Sequence, residues 1–215
     1  MYRKIKDFLE NWEYESEATL RIFRNLTDES LDQRVNTEGR SLRDLAWHIT
    51  ETLGEMPGHA GIAVEAPDKS QNAPQYVREL VHAYRNAAES LKSALADQWT
   101  DDDLPVEIMM YGEKWRKGDL LSALIMHQAH HRAQMTVLMR QAGLKVPGIY
   151  GPSREEWVGC GPGEFASGNY SECIPAFFEL KSHFCRKIRP SSSGRRLLRC
   201  PVFQFLLLLV RFDYP

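Results

Sequence analysis

The stretch at 117–135, KGDLLSALIMHQAHHRAQM, decides how the whole chain is interpreted, because it combines an apolar helical pattern with three histidines. His127 and His131 are four residues apart, so on a helix they differ by about 40° and lie about 6 Å apart along the axis. His130 lies about 60° to the other side of His127. The apolar positions in phase with the pair are Leu120, Leu124, Met135 and Leu138. The pattern therefore predicts that His127 and His131 point inward, with His130 near the border.

Two imidazoles on an apolar face need a partner. Neutral rings side by side in a core leave nitrogens unsatisfied, which costs a few kcal/mol unless something binds them. A divalent metal ion is one such partner, and His-x-x-x-His is the spacing that helical metal sites use. Buried hydrogen bonds or a water molecule are the alternative. Two ligands do not complete a site, so the metal interpretation requires a third.

His48 is the third candidate, because it falls in the middle of the apolar stripe of an earlier helix. His59 returns to nearly the same face but lies about 16 Å further along the helix, too far to share an ion at about 2 Å ligand distances. We therefore predict one metal site formed by His48, His127 and His131. The remaining histidines, His59, His82 and His183, show no partner pattern and are expected to be surface or locally satisfied residues.

Apolar residues recur at intervals of three and four in four segments, which is typical of amphipathic helices. We predict helices over about 2–25, from 42 to Pro57-Gly58, from Pro74 in a first turn to the break at 98–105, and over Asp119–Ala142. Four such helices with modest connections indicate a four-helix bundle.

Local signals mark the helix ends and one turn. Ser41 is a plausible N-cap with Asp44 three residues on, and Gly143 is a natural stop for the last helix. The segment VEIMMYGEKWRKG at 106–118 predicts a short hairpin around Tyr111-Gly112-Glu113.

The bulk composition is that of an ordinary globular protein, with 215 residues of which 43% are hydrophobic and 26% charged. The formal net charge of −2 offers no basic excess for nucleic acid. The longest apolar run, VFQFLLLLV at 202–210, is about half a membrane span, and acidic residues interrupt the start where a signal core would lie. We expect a cytoplasmic protein that contacts neither nucleic acid nor a membrane.

The composition changes near residue 158. All four cysteines lie beyond it, at Cys160, Cys173, Cys185 and Cys200, whereas every tryptophan and methionine lies before it. The cysteine spacings match no zinc-binding pair, and disulfides are rare in a reducing cytosol. We predict a metal-binding domain over 1–158 and an atypical tail over 159–215 without an assigned fold, disordered or loosely packed.

Three segments resemble the DinB superfamily of damage-inducible, metal-binding four-helix bundles. They are LRDLAWHITE at 42–51, the stretch at 117–135 and LMRQAGLKVPGIYG at 138–151, and the likeness covers about residues 1–157. In that family one histidine of the second helix and a pair on the fourth are the ligands, which by motif are His48, His127 and His131. The resemblance also implies an all-α, up-down-down-up type of bundle with a short hairpin before the last long helix. Ala133 departs from the family, which usually has glycine there.

The resemblance implies a chemistry as well. Characterised members include transferases and isomerases that depend on a low-molecular-weight thiol, so the first hypothesis is a metal-dependent thiol S-transferase in stress response or detoxification. Its cofactors would be a divalent ion (Zn, Ni, Fe or Mn, which the sequence does not distinguish) and the thiol. A metal-dependent hydrolase and a non-enzymatic, metal-stabilised dimeric binding module are the alternatives.

Spacing demands no catalytic residue beyond the ligands, so the catalytic residues stay unassigned. His130 and Glu51 are candidates to contact the ligands or a substrate from just outside the ligand set, and Glu55 follows on the same helix as Glu51. The expected partners are a small-molecule substrate and a second copy of the chain. The homodimer is expected from the family and from the aromatic content of the first helix, namely Phe8, Trp12, Tyr14 and Phe23.

Overall fold

The structure is a computed structural model that describes residues 2–156. In that part of the chain the predicted all-α fold is confirmed: four long helices and one two-stranded hairpin. The elements are α1 Ile5–Arg24, α2 Leu42–Gly58, α3 Val77–Gln98, β1 Glu107–Met110, β2 Glu113–Arg116 and α4 Lys117–Gln141, with short 3-10 turns between some of them. The predicted boundary at 158, the tail 159–215 with its four cysteines, and His183 lie outside the described residues.

The bundle is arranged so that α1 and α2 lie on a diagonal. Each of them packs against both α3 and α4. Although α2 follows α1 in sequence, these two helices are not the main packing partners of each other. This arrangement places α2 directly against α4, so the two helices that carry the predicted ligands share an interface. No helix in residues 2–156 is long and apolar enough to cross a membrane.

Helix ends follow the sequence signals closely at two positions. The Ser41 hydroxyl accepts from the Asp44 N–H at 3.2 Å, and the Asp44 carboxylate accepts from the Ser41 N–H at 2.8 Å, which completes the predicted capping box. At the end of α4, Gly143 takes a φ of 73° and its N–H donates to the Arg140 carbonyl. The Leu144 N–H donates to the Met139 carbonyl, so the helix closes with a Schellman motif.

The prediction that Pro74 belongs to the first turn of α3 is wrong. The helix begins three residues later, at Val77. The Val77 N–H donates to the Asp28 carboxylate at 2.7 Å, so a side chain 49 residues away caps this helix. Such a distant cap leaves no local signal, which is why the proline gave the wrong start.

The hairpin turns at Tyr111 and Gly112, as predicted. Both residues have positive φ, 52° and 86°, and Met110 pairs with Glu113 across the turn. Two consecutive positive φ angles are the signature of a type I′ hairpin turn.

The aromatic residues of α1 are largely used by the chain's own core. Phe8, Trp12 and Phe23 are buried, and the Trp12 Nε1–H donates to the Ala88 carbonyl of α3 at 3.1 Å. Tyr14 is partly exposed, and its hydroxyl donates to the Ile149 carbonyl. The aromatic content of α1 therefore gives no argument for a dimer.

Candidate metal centre

The structure brings together the three histidines that the sequence selected. Their ring centroids are 5.1 Å apart for His48 and His127, 4.7 Å for His48 and His131, and 4.5 Å for His127 and His131. One ligand nitrogen from each lies within 4.8 Å of the other two. Among residues 2–156 this is the only group of three or more metal-binding side chains that could hold an ion.

The secondary structure explains the convergence. His127 and His131 occupy successive turns of α4, on the face that packs against α2, and His48 projects from the middle of α2 between them. His131 is buried, whereas His48 and His127 are half-buried. The cluster is therefore anchored in the bundle on one side and reachable by small molecules on the other.

The nitrogen geometry fits a shared ion. The Nε2 atoms of His48 and His127 face each other at 3.1 Å. Two nitrogens about 2.0–2.1 Å from one ion, at an angle near 100°, would be separated by about 3.1–3.2 Å. Because the donor set is three imidazoles without a carboxylate, it suits a borderline divalent ion such as zinc or nickel better than calcium or magnesium.

The three histidines are neutral at physiological pH. Burial, followed by the positive charge of Arg40 and the neighbouring rings, lowers the pKa of His48 to about 4. Burial and the adjacent His131 lower the pKa of His127 to about 4 as well, and burial lowers the pKa of His131. Metal ligation requires the deprotonated ring, so these shifts keep the nitrogens available for an ion.

Gln134 orients two of the three histidines of α4. The His131 Nδ1 lies 2.7 Å from the Gln134 Oε1, so this nitrogen carries the proton and Nε2 is left free to bind an ion. The amide nitrogen of Gln134 lies 3.1 Å from the His130 Nε2. His130 is exposed, and it contacts the cluster both through Gln134 and directly, since its ring meets that of His131 edge to face at 4.9 Å. Sequence reasoning missed Gln134, although its spacing of three from His131 was a usable signal.

The sequence model of the DinB family matches residues 1–164. The chain belongs to the DinB family. The uncharacterized protein YrdA of Bacillus subtilis (strain 168) is 41% identical over 158 residues, which are 74% of this chain and 95% of that protein.

Solved structures of DinB-like proteins have the same fold. The crystal structure of a DinB-like protein from Bacillus cereus ATCC 10987 superposes with a TM-score of 0.67 at 39% identity, covering 70% of this chain and all of that one. A second DinB-like protein, YjoA of Bacillus subtilis, gives a TM-score of 0.54 at 20% identity and covers 69% of this chain and 99% of its own. The second likeness supports the fold alone.

Glu51 is the other residue that the sequence suggested just outside the ligand set. Within residues 2–156, it makes no hydrogen bond to any of the three histidines. It lies one turn after His48 on α2 and is half-buried, and burial raises its pKa. Glu55, one turn further, accepts hydrogen bonds from Tyr111. The remaining histidines are not in the cluster: His59 lies beside Glu55, and His82 contacts Asn86.

A second polar pair on α4 lies one residue out of phase with the histidines. Gln128 and Arg132 are buried; Arg132 faces α1, and Gln128 lies where α1, α2 and α3 meet α4. The Gln128 amide donates to the Ile49 carbonyl at 3.1 Å and accepts from the hydroxyls of Thr19 and Tyr84. Since Gln128 follows His127 and Ile49 follows His48, this bond ties α4 to α2 directly beside two of the clustered rings. Sequence reasoning did not find it.

Arg132 completes this second pair through a buried charge. It forms an ion pair with Glu15 of α1 and donates to the Tyr150 hydroxyl from the segment after α4. It also donates to the Glu15 carbonyl at 2.8 Å and to Thr19 at 3.0 Å. These contacts fix the rotation of α4 about its axis and hence the direction in which its histidines point.

Proposed function

We propose that this DinB-family protein binds one divalent metal ion through His48, His127 and His131, and that it is a transferase which uses a low-molecular-weight thiol. The single observation that carries the first part is the convergence of three neutral imidazoles from two helices. The second part rests on the likeness to thiol-dependent members of the superfamily. A role in stress response or detoxification follows from the same likeness.

The proposed ion would retain its charge of +2, because all three ligands are neutral, and three protein ligands leave coordination positions open. When bound, such an ion supplies a place where a thiol is held as thiolate. The chain's own contribution is to keep the three rings neutral, to orient His131 through Gln134, and to hold α2 at its distance from α4 through Gln128.

The functional unit that we propose is residues 1–158, acting on a small molecule in the cytoplasm as a homodimer. The open side of the cluster supports a small-molecule substrate, since His48 and His127 remain half-exposed while His131 is buried.

Metal analysis of the purified chain is the first test. One equivalent of a divalent metal should be present in the wild type and absent from His48→Ala, His127→Ala and His131→Ala. The matched controls are His59→Ala and His82→Ala, which remove histidines outside the cluster and should keep the metal. Full metal retention in His127→Ala would contradict the ligand assignment.

A substrate screen tests the second part. The metal-loaded protein is offered small thiols together with electrophilic acceptors, and product formation is compared with the metal-free protein. Transfer that requires both metal and thiol would support the proposal. Turnover of esters or amides without a thiol would favour a hydrolase instead, and tight metal binding without turnover of any acceptor would favour the dimeric binding module.

A further inference from the structure

The outer face of α4 lacks the charges that cover the outer faces of α1 and α3. Between Leu120 and Met139 the only charged residue of the sequence is Arg132, and that residue is buried. The charged side chains that α1 exposes are Lys6, Asp7, Glu10, Glu13, Glu17 and Arg24. Those that α3 exposes are Arg78, Glu79, Arg85, Glu89 and Asp97. A helix without charges on its outer side is typical of one that is covered on both sides.

The exposed apolar residues of α4 form a single line along the helix, which we call the outer stripe. The outer stripe consists of Met126, Ala129, His130, Ala133 and Val137. Met126 is 64% exposed and Val137 is 52% exposed. They are 11 residues apart, so on a helix they differ by about 20° and lie about 16 Å apart along the axis. Buried Met135 lies on the opposite side of the helix, so the stripe points away from the core.

The outer stripe is symmetric about a point between residues 131 and 132. Met126 and Val137 are equally far from this point, and so are His130 and Ala133. In an antiparallel pair of α4 helices with a two-fold axis through this point, Met126 of each chain lies opposite the partner's Val137. In the same pair, His130 lies opposite the partner's Ala133, a small residue that allows two helices to pack closely. The symmetry is what a surface needs in order to bind a second copy of itself.

The charges at the two ends of α4 favour the same antiparallel arrangement. Asp119 lies one heptad before Met126, and within residues 2–156 it has no hydrogen-bond or ion-pair partner. The other end is basic, with Arg140 in the last turn and the exposed Lys145 just after the helix. By the two-fold symmetry, the position opposite Asp119 is residue 144, next to Lys145. An antiparallel copy therefore brings opposite charges and opposite ends of the helix dipoles together, whereas a parallel copy brings like charges together.

The outer stripe also reaches the candidate metal centre. The ring of His130 meets that of His131 edge to face at 4.9 Å. Gln134, next to Ala133, contacts both of these histidines. A second copy on the outer stripe would therefore contact His130 and cover that side of the cluster.

We propose that the outer stripe of α4 is the dimer interface of this protein, and that its occupant is the antiparallel α4 of a second copy. This inference rests on the homodimer in the proposed function and names the surface that forms it. The aromatic residues of α1 do not provide this surface, since most of them are buried in the chain's own core.

The first test measures self-association of the full-length protein by sedimentation velocity over a dilution series. The variants are Ala133→Arg and Ala133→Glu. The matched control, Ala96→Arg, changes an exposed alanine of α3. The wild type and the control should be dimers. Each Ala133 variant should raise the dissociation constant about a hundredfold or more, because the two-fold axis places two like charges together at the interface.

An equimolar mixture of the two Ala133 variants distinguishes a charge effect from misfolding. The mixture should recover the dimer, because the arginine of one chain then lies near the glutamate of the other. Failure of the mixture to dimerise, while the wild type does, would overturn the proposed place of Ala133 at the centre of the interface.

A photo-crosslink tests the antiparallel register. The full-length variant Met126→p-benzoylphenylalanine is irradiated, and the covalent dimer is digested with trypsin. The crosslink should join residues 118–132 of one copy to residues 133–140 of the other. A crosslink between two copies of 118–132 would overturn the antiparallel arrangement. A crosslink within one chain to residues after 158 would show that the tail, and not a second copy, covers the stripe.

Two further results would have different meanings for the proposed function. A wild type that is monomeric over the whole dilution series would overturn both this interface and the proposed homodimer. Wild-type dimerisation of both Ala133 variants would overturn the interface on α4 and leave the homodimer standing.

Discussion

Helix α4 carries two polar pairs with the same spacing and opposite chemistry. His127 and His131 face α2, where their nitrogens meet His48. Gln128 and Arg132, each one residue further on, are buried in the bundle, where Arg132 contacts α1 and Gln128 contacts α1, α2 and α3. The amide and guanidinium bond to carbonyls, hydroxyls and a carboxylate of the chain itself, with only the Arg132 Nε left without a partner. The histidine nitrogens instead converge on one point.

The contrast separates polar groups that complete a fold from polar groups that form a site. A buried group whose hydrogen bonds are satisfied inside the chain stabilises one arrangement and has little capacity left for a ligand. The histidine pair keeps its capacity, and the Gln128 bond to Ile49 holds it in place. Variants of the two pairs should therefore differ sharply in their effect on the stability of the metal-free protein.

The largest loss of unfolding free energy is expected for Arg132→Met. This change leaves the Glu15 carboxylate buried without its cation, and breaking a buried pair in this way costs about 3–5 kcal/mol of unfolding free energy. Arg140→Met is the matched control, because its pair with Glu155 is on the surface and is worth less than about 1 kcal/mol. Urea denaturation measures both, and similar values for the two variants would remove the distinction between the pairs.

Gln128→Leu should have the next largest effect. It removes the acceptor of the buried Tyr84 hydroxyl and one of the partners of the Thr19 hydroxyl and the Ile49 carbonyl, at about 1–3 kcal/mol. Because the bond to Ile49 lies beside two of the proposed ligands, metal affinity should also fall about tenfold. Gln141→Leu, in an exposed position of the same helix, should change neither denaturation nor metal titration. Unchanged affinity in Gln128→Leu would show that the two pairs are independent.

His127→Ala should change the stability of the metal-free protein by less than about 1 kcal/mol, although it should abolish stoichiometric metal binding. The reason is that the His127 ring is half-buried and its nitrogen faces only His48. Denaturation after chelation gives the value. A loss as large as that of Gln128→Leu would mean that the histidine pair is part of the structural framework.

Acidification should have the smallest effect on the unfolding free energy of the metal-free protein. The pKa of His48 and of His127 is lowered to about 4 in the folded protein, from about 6.5 in an unfolded chain. The unfolded chain therefore binds more protons below about pH 6.5, and the stability of the metal-free protein falls as the pH decreases through about 4. Both rings are half-exposed, so solvent screening keeps this term small.

The measurement is the unfolding free energy of the metal-free protein from about pH 8 to about pH 4, compared with His127→Ala. The wild type should lose more stability than the variant over this interval, since the variant lacks one lowered pKa. A steeper acid dependence in His127→Ala would contradict the assignment of the shift to this cluster.

The sequence was sufficient for the helices and for the three clustered histidines. The helices and the clustered histidines are both recognised from the periodicity of single helices. That periodicity places His127 and His131 on one face of α4 independently of the residues that pack around them. The partners of Arg132 could not be predicted, because Glu15 is 117 residues away and Tyr150 lies beyond the helix. The same reason explains the wrong start of α3, which depends on Asp28.

The contact between Tyr111 and Glu55 illustrates a further limit. The turn itself was predictable from Tyr111-Gly112, but the tip of a hairpin can lean in several directions. Which helix the tyrosine contacts depends on how the hairpin packs against the bundle. That packing cannot be predicted from any residue spacing in the sequence.

The buried ion pair also has a consequence for biosynthesis. Glu15 is made near the beginning of the chain, whereas Arg132 and Tyr150 are made near the end of the described residues. A nascent chain that contains only α1 to α3 holds a glutamate at a core position without its cation. Stable folding on the ribosome therefore has to wait until α4 and the segment after it have emerged, and the domain is expected to fold late and in one cooperative step.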